Sequence, residues 1–433
     1  MSCVERSKVK LNSYQKKVVY FLSSRKNRGL LVVHPPGSGK TLTAVTYSQC
    51  FLDMFPDQEV IVITPSSLKS NFRKGLREYG VREKDLKKYK IYSFDKFSKE
   101  KGNLKCKDNL VIIDEVHNLR NMGLGSHTSG VRAKAALACV YRAKKILLLT
   151  ATPFVNDLTD LISMVNLVHG GNAMITKKSQ IKEVADLKPY LRGYVDYVKP
   201  VYDSNYPKLD EHMIKIKMPK SYEEDYCKLI RGQLVNESVF SSPRSFYNAH
   251  RRAVNKVGAR SEFLSLKIKK AIELIGNQKS VIYSNWLDYG LDPIGDALDE
   301  AGISFEGYRG DISESEKNEI KDIFDRDEVQ VLITSPTGKE GLDLIGVRNV
   351  IIMDPPWNYA GVKQIRERAR RYGSHSHLPK KERHVNVYYL SLETSSAAQD
   401  RGCFSGDTIV YRIVEKKKIL DGMINKMLEE ISI

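Results

Sequence analysis

The stretch from Gly37 to Thr41 (Gly-Ser-Gly-Lys-Thr) has residue types and spacing that suit the binding of a triphosphate. It follows a short apolar run, and a helix-compatible segment starts near Lys40. Glycines let backbone N–H groups approach phosphate oxygens, and the following helix adds its positive end. In such a P-loop, Lys40 reaches the β- and γ-phosphates and the Thr41 hydroxyl binds Mg²⁺. We therefore predict that the P-loop residues are Gly37, Ser38, Gly39, Lys40 and Thr41, although His34 stands where the strict pattern has glycine.

Two adjacent carboxylates, Asp114 and Glu115, end another apolar run. A nucleotide site requires a strand-end aspartate for the Mg²⁺ shell, which suits Asp114, and a base or water-orienting group, which suits Glu115. A further run ends at Thr150 and Thr152. We expect their hydroxyls to hydrogen-bond the acidic pair and to transmit the state of the nucleotide. Each element alone is an ordinary strand end, but together with the P-loop they predict ATP hydrolysis.

Four arginines lie within the six residues 366–371. On a helix, Arg368 and Arg371 are three residues apart and share a face. Arginines that reach the γ-phosphate stabilise charge in the transition state, so we predict that both are catalytic, with Lys40 and Glu115. The alternative is an exposed basic helix that binds phosphates non-specifically.

The elements that must position these residues form two series of short, continuous apolar runs separated by polar, helix-compatible segments. Such runs suit parallel strands that helices cover on both faces. We predict an α/β protein with two doubly wound parallel-sheet domains, residues 1–168 and 263–405. An irregular and helical basic segment (169–262) joins them, and an amphipathic helix (406–433) closes the chain. The predicted strands are 29–33, 60–64, 110–113, 146–149, 280–283, 329–334, 350–353 and 385–392.

The charge balance favours a polyanionic partner, since 70 Lys and Arg against 52 Asp and Glu give a net charge of +18. Nucleic acid is the first candidate and a solubilising basic surface the alternative. Between Arg244 and Lys270, eight basic residues accompany one acid, Glu262. This segment is either a solvated helix face or a nucleic-acid contact.

Apolar stretches long enough to cross a membrane are absent from the sequence, which predicts a protein without membrane association. The six cysteines (3, 50, 106, 139, 227 and 403) are scattered and include no CxxC pair. We therefore expect free thiols, no zinc site and an intracellular, reducing compartment.

In chain order, these motifs resemble those of superfamily 2 nucleic-acid-dependent ATPases, and among them the Swi/Snf-type group. The resemblance spans about residues 11–375. The segments that carry it are Leu11–Gln15, His34–Thr41, Thr64–Leu68 with Asn71, Asp114–His117, Thr150–Pro153 with Asn156 and Asp157, Ile282–Trp286, Thr334–Asp343, Asp354–Asn358, and Gln364 with Arg368 and Arg371.

The resemblance implies two RecA-like lobes with ATP and Mg²⁺ between them. It assigns adenine contact to Gln15 and adds Gly341 and Asp343 to the nucleotide site. The residues it implies as nucleic-acid contacts are Pro65, Ser66, Ser67, Asn71, Ser284, Asn285, Thr334 and Ser335. The residues it implies as couplers between the two activities are His117, Thr150, Thr152 and Gln364.

The implied function is ATP-dependent translocation on DNA, with tracking along duplex favoured and RNA as a further substrate. The compact form resembles helicase-like ATPases of large cytoplasmic DNA viruses, the poxvirus nucleoside triphosphate phosphohydrolase I and early transcription factor small subunit type. That resemblance suggests viral transcription or genome handling, RNA polymerase or transcription machinery as a partner, and host cytoplasm or virion as the location. The alternatives are a strand-separating DNA or RNA helicase, and a non-catalytic basic scaffold that binds nucleic acid.

Overall fold

The chain divides into two compact units in a computed structural model that describes residues 2–100, 106–119, 130–172, 174–235, 248, 250–255, 265–335, 342 and 344–433. The first unit comprises Met1–Val201 and Ile419–Ile433, and the second comprises Tyr202–Lys418. Each unit contains one six-stranded sheet, and every strand pairing in both sheets is parallel. The four-segment division predicted from the sequence stays a prediction.

The first sheet has the strand order β3-β2-β4-β5-β1-β6. Its strands are β1 (Gly29–Val33), β2 (Val60–Thr64), β3 (Tyr89–Ser93), β4 (Leu110–Ile113), β5 (Lys145–Thr150) and β6 (Val195–Tyr197). The helices of this unit are Ser13–Ser23, Lys40–Met54, Lys69–Tyr79, Glu83–Leu86, Phe94–Lys99, Gly130–Arg142, Thr159–Val168 and Lys188–Leu191.

Helices cover this first sheet on both faces, as β1 illustrates. Leu31 and Val33 belong to one apolar core, whereas Leu30 and Val32 belong to the other. Side chains alternate along a strand, so a strand buried on both faces needs a continuous apolar sequence. This requirement is why the run in β1 is Gly-Leu-Leu-Val-Val.

The second sheet has the order β7-β12-β11-β8-β10-β9 and also separates two apolar cores. Its strands are β7 (Lys208–Lys217), β8 (Ser280–Tyr283), β9 (Phe305–Tyr308), β10 (Val331–Thr334), β11 (Asn349–Ile352) and β12 (His384–Glu393). Its helices are Lys220–Val235, Leu266–Ile275, Asp292–Glu300, Glu314–Asp325, Tyr359–Ala369, Ser396–Asp400 and the first part of Gly406–Ile431.

The predicted α/β class with two parallel sheets is confirmed. All eight predicted strands correspond to observed strands, with ends shifted by up to two residues. The four strands that the sequence did not reveal are β3, β6, β7 and β9, and these are the two edges of each sheet.

The predicted closing helix is observed as Gly406–Ile431. Its beginning contributes Val410 and Val414 to a core of the second unit. Its end contributes Ile424 and Leu428 to a core of the first unit. Among the described helices, none combines the length and the apolar character that crossing a bilayer requires.

The prediction of free thiols is wrong. The six cysteines form the disulfides Cys3–Cys50, Cys106–Cys139 and Cys227–Cys403, with Cα–Cα distances of 5.1, 5.2 and 5.9 Å that suit the bond. The partners are 47, 33 and 176 residues apart, so folding brings them together and short-range spacing gave no sign of it. The prediction of a reducing compartment assumed free thiols and is therefore no longer supported by the cysteines.

His375 is a buried histidine that the fold keeps neutral. Its Nε2–H donates to the Val347 carbonyl at 2.7 Å, and its Nδ1 lies 2.9 Å from the Ser374 hydroxyl. Burial lowers the pKa of His375 to about 4. The unfolded chain, with an ordinary histidine pKa, therefore takes up this proton first as the pH falls.

We predict that acidification from pH 7 to pH 5 removes about 2 kcal/mol of unfolding free energy through this group. The measurement is the thermal midpoint of wild type and of His375→Gln at both pH values. The variant, whose amide does not titrate, should lose less stability on acidification than wild type. Equal losses would contradict the assignment.

Candidate functional site

The carboxyl ends of four neighbouring strands bring the predicted motifs of the first unit together. The order β2-β4-β5-β1 places these strands side by side. In register, Ile63 pairs with Ile113, Ile113 with Leu148, and Val33 with Thr150. Because all four strands are parallel, the loops that follow them leave the same edge of the sheet, where open α/β sheets bind their ligands.

The P-loop turns sharply between β1 and the helix Lys40–Met54. Gly37 and Gly39 have φ values of 76° and 75°, in the left-handed region that glycine adopts without strain. A Cβ at Gly39 would also lie 2.4 Å from the Gln15 amide nitrogen. The Lys40 ammonium donates to the carbonyls of His34 and Pro35 at 3.0 and 3.1 Å. The loop therefore makes the sharp turn that its glycines allow, and its binding of phosphate stays a prediction.

Gln15 lies against this loop from the helix Ser13–Ser23. Its side-chain amide donates to the Ser38 carbonyl at 3.0 Å and to the Gly39 carbonyl at 3.3 Å. The hydroxyl of Tyr14 also donates to Ser38, at 2.9 Å. Gln15 is buried, and its carbonyl accepts the N–H of Asn12 at 2.7 Å. These bonds hold the P-loop backbone, while the adenine contact of Gln15 stays a prediction.

The acidic pair directly follows β4. Asp114 is buried, and its carboxylate accepts the Glu115 N–H at 3.0 Å and the Thr64 hydroxyl at 3.4 Å. Burial, reinforced by the neighbouring Glu115 charge, raises the pKa of Asp114 to about 7, although Lys40 opposes the shift. A bound cation would stabilise the ionised form of such a carboxylate. Glu115 itself has φ 49°, a backbone conformation that costs energy in a non-glycine residue and is common at active sites.

His117 connects the acidic pair to the end of β5. Its Nδ1 lies 3.2 Å from the Glu115 carboxylate, 3.0 Å from the Thr150 hydroxyl and 3.3 Å from the Thr152 hydroxyl. We expected the threonine hydroxyls to bond the carboxylates directly. Instead, both hydroxyls contact His117, and His117 contacts Glu115. The histidine is buried and connects the end of β5 to the acidic pair by direct contacts, while its predicted coupling role stays a prediction.

The predicted nucleic-acid contacts of the first unit follow β2. Ser66, Ser67 and Asn71 are exposed, and Pro65 is buried. Ser66 and Ser67 lie in a single 3₁₀ turn that leads into the helix Lys69–Tyr79. Exposed hydroxyl and amide groups next to a helix start are available to phosphates, as the prediction requires.

In the second unit, two predicted nucleic-acid contacts instead hold a buried aspartate. Ser284 is buried, and its hydroxyl donates to the Asp354 carboxylate at 2.5 Å. The Asn285 amide donates to the Asp354 carbonyl at 3.0 Å. Lys267 lies between Asp354 and Asp407, 3.4 and 2.9 Å from their carboxylates, and is fully buried. The sequence analysis missed this cluster because its members are far apart in the chain.

The remaining predicted residues after β10 are only partly described. Thr334 and Ser335 are buried, and the Thr334 hydroxyl donates to the Tyr308 carbonyl at 3.2 Å. Gly341 and Asp343 lie outside the described residues. Their predicted roles stay predictions.

The arginine cluster spans the end of the helix Tyr359–Ala369, on which Gln364 is half-buried. The argument from helical spacing is wrong for Arg371, because the helix ends at Ala369. Arg371 instead lies in a turn that the Ser374 hydroxyl closes by accepting the Arg371 N–H at 3.3 Å.

Two of the four arginines have clear structural partners. Arg366 donates to the Glu211 carboxylate at 2.9 Å, and the Arg370 guanidinium lies 3.4 Å from the centre of the Tyr202 ring. These contacts tie the cluster to other parts of the second unit. The catalytic roles of Arg368 and Arg371 stay predictions.

The basic segment between Arg244 and Lys270 is described only in part, and two of its cations are structural. Arg251 is buried, lies over the rings of Trp286 and Trp357, and donates to the Pro355 carbonyl at 2.8 Å. Lys267 is the buried cation of the Asp354 cluster. A contact between nucleic acid and the rest of the segment stays a prediction.

Three models of known protein families together match residues 8–373 of the chain. A model of the type III restriction enzyme res subunit matches residues 8–155. A model of the SNF2-related domain matches residues 86–269, and the helicase conserved C-terminal domain matches residues 266–373. The chain therefore carries a SNF2-related domain and a helicase conserved C-terminal domain, as helicase-like ATPases do.

Relatives of this SNF2-related ATPase occur in large DNA viruses. It is 29% identical over 455 residues to a putative ATP-dependent RNA helicase of Acanthamoeba polyphaga mimivirus, with 98% of this chain and 97% of the relative covered. It is 22% identical to nucleoside triphosphatase I of Choristoneura fumiferana entomopoxvirus, with 86% and 71% covered. A SWI2/SNF2 ATPase core of Sulfolobus solfataricus in complex with double-stranded DNA matches at 18% identity and a TM-score of 0.41, with 98% and 96% covered.

The family resemblance and the enzyme class predicted from the motifs are confirmed by these comparisons. One buried pair had no sequence signal: the His34 Nε2 lies 2.7 Å from the carboxylate of Asp196 in β6. His34 is a departure from the P-loop pattern, and β6 is too short and too polar to be predicted from periodicity.

We predict that Thr150→Val weakens the coupling between nucleic acid and ATP turnover in this SNF2-related ATPase. Valine keeps the volume but removes the hydroxyl that reaches His117, and a lost hydrogen bond of about 1 kcal/mol corresponds to about a fivefold loss of stimulation by nucleic acid. The measurement is the ratio of ATPase rates with and without duplex DNA.

Thr46→Val is the matched control. Thr46 is also buried, but its hydroxyl donates to Leu42 within a helix. Its stimulation ratio should stay at the wild-type value. A ratio that falls equally in both variants would show a general packing effect and contradict the coupling role.

Proposed function

We propose that this SNF2-related ATPase translocates along DNA, with duplex as the favoured substrate, by hydrolysing ATP at the carboxyl edge of its first sheet. The single observation that carries the proposal is the convergence there of Lys40 and the acidic pair Asp114 and Glu115. Such a site must bind phosphate, bind a cation and orient water. Lys40, Asp114 and Glu115 are residue types that suit these three tasks, in that order.

The residues at this edge fit Mg²⁺. Thr41 and Asp114 would hold the ion, since a hydroxyl and a buried carboxylate are the hard oxygen ligands that it prefers. When bound, Mg²⁺ would supply positive charge that stabilises the phosphate oxygens. Asp114 is suited to this task because burial keeps its carboxylate from full solvation and raises its pKa to about 7.

The protein's own groups then perform the remaining steps. Backbone N–H groups of the P-loop bind the phosphates, and Lys40 moves from the His34 and Pro35 carbonyls to the triphosphate. Glu115 orients the attacking water and accepts its proton. Arg368 and Arg371 stabilise the charge of the transition state, in the role that the family resemblance assigns to them.

DNA as the substrate is supported by charge and by exposed polar groups. The net charge of +18 favours a polyanion, and Ser66, Ser67 and Asn71 are exposed on the unit that carries the P-loop. RNA is the second candidate substrate, because one relative is named as an RNA helicase. A role in viral transcription or genome handling, with RNA polymerase as a partner, rests on the resemblance to viral ATPases.

Two other functions give different outcomes. A strand-separating helicase would displace a labelled strand, whereas a duplex translocase would hydrolyse ATP on duplex without doing so. A non-catalytic basic scaffold would bind DNA without turnover. The presence of Lys40, Asp114 and Glu115 at one sheet edge argues against the scaffold.

We predict that duplex DNA stimulates ATP hydrolysis and that Lys40→Ala and Glu115→Gln abolish it with the fold retained. Arg371→Ala should lower kcat by about a hundredfold or more while nucleotide binding survives, as for other arginines that act on transferred phosphates. The measurement is the steady-state ATPase rate with no nucleic acid, single-stranded DNA, duplex DNA and RNA, each at two salt concentrations. Stimulation should weaken steeply as salt rises.

Arg366→Ala is the matched control, because Arg366 belongs to the same arginine cluster, pairs with Glu211 and is not one of the two predicted catalytic arginines. It should retain much more activity than Arg371→Ala. Wild-type turnover in Lys40→Ala or Glu115→Gln would refute the site. Equal losses in the two arginine variants would refute a catalytic role for Arg371.

A further inference from the structure

His34 begins the P-loop, and its side chain is 1% exposed. The imidazole lies edge-on to the Tyr14 ring at 5.3 Å between centres. Its Nε2 is 2.7 Å from the carboxylate of Asp196, which the chain places 162 residues later. Where the usual pattern has a glycine, this loop therefore has a buried side chain tied to another strand.

Asp196 is a fully buried carboxylate in β6, opposite Val32 of β1. One carboxylate oxygen contacts His34, and the other lies 2.7 Å from the Lys17 ammonium. Burying a carboxylate is costly unless it is paired, and both oxygens here have partners. The contacts with the His34 and Lys17 side chains keep the pKa of Asp196 below its usual value despite burial. The carboxylate is therefore ionised and accepts the His34 Nε2–H.

The contacts of Asp196 extend to both ends of the P-loop. At the start of the loop, the His34 carbonyl accepts the Lys40 ammonium at 3.0 Å. At its end, Tyr14 and Gln15 bond the Ser38 carbonyl from the helix that also carries Lys17. A single buried carboxylate thus links β6, the helix Ser13–Ser23 and the residue on which Lys40 rests.

We propose that Asp196 and His34 are positioning residues for nucleotide binding. The Asp196 carboxylate fixes the His34 imidazole, which fixes the backbone of the loop from which Lys40 reaches the phosphates. Neither side chain touches the reacting atoms. The inference rests on the proposed nucleotide site at the P-loop, but not on translocation or on the identity of the nucleic acid.

The test is the affinity of a fluorescent ATP analogue together with KM and kcat for ATP. Asp196→Asn keeps the shape but removes the charge, and a misplaced phosphate-binding group costs about tenfold or more. The analogue should therefore bind about tenfold more weakly, and KM should rise more than kcat falls. A purely structural role would lower the amount of folded protein without changing KM.

Asp85→Asn is the matched control, since Asp85 is also buried and pairs with a cation, Arg82, at 2.9 Å. It should bind the analogue like wild type. The proposal is overturned if Asp196→Asn changes affinity by less than about twofold, or if both variants lose affinity equally.

A second pair of variants keeps the test decisive if Asp196→Asn does not fold. His34→Gln retains a donor near the position of Nε2, whereas His34→Leu has none. The glutamine variant should retain affinity for the analogue and the leucine variant should lose it, and equal affinities would overturn the proposal. Analogue binding without DNA-stimulated hydrolysis in wild type would refute the proposed function while leaving this inference standing.

Discussion

Parallel strands that end at one edge are the constraint on which the first unit depends. The loops after β1, β2, β4 and β5 leave the sheet side by side, although the first and the last of them lie more than a hundred residues apart in the chain. Only a sheet that helices cover on both faces can hold these strands in parallel order. The apolar runs therefore do more than form a core, because they bring Lys40, Asp114 and Thr150 to one place.

Both units also bury charged side chains, and these side chains have different partners in each unit. In the first unit, Asp196 pairs with the Lys17 ammonium and accepts a hydrogen bond from His34, whereas Asp114 lies at the sheet edge with a raised pKa. In the second, Lys267 lies between Asp354 and Asp407. Fully paired charges fix the arrangement of loops, and an incompletely stabilised carboxylate is the one suited to bind a cation. The distinction separates positioning groups from the groups that meet the nucleotide.

The strands in the interior of each sheet were predicted from the sequence, whereas the edge strands were not. Every described interior strand was predicted, because each is largely apolar, whereas the edge strand β7 mixes charged residues with Met213, Ile214 and Ile216 along ten mostly exposed positions. Local motifs such as Gly37–Thr41 were likewise predictable, since phosphate chemistry fixes their spacing. The disulfides and the His34–Asp196 pair were not predictable, because only the tertiary fold brings together residues that are far apart in the chain.

The account's central claim is that ATP binds at the carboxyl edge of the first sheet, on the backbone of the P-loop. Hydrogen exchange with and without a non-hydrolysable ATP analogue and Mg²⁺ tests it most directly. Peptides that contain residues 37–41 and 114–115 should become protected when both ligands are present. Protection that appears only elsewhere in the chain, with these two segments unchanged, would contradict the claim.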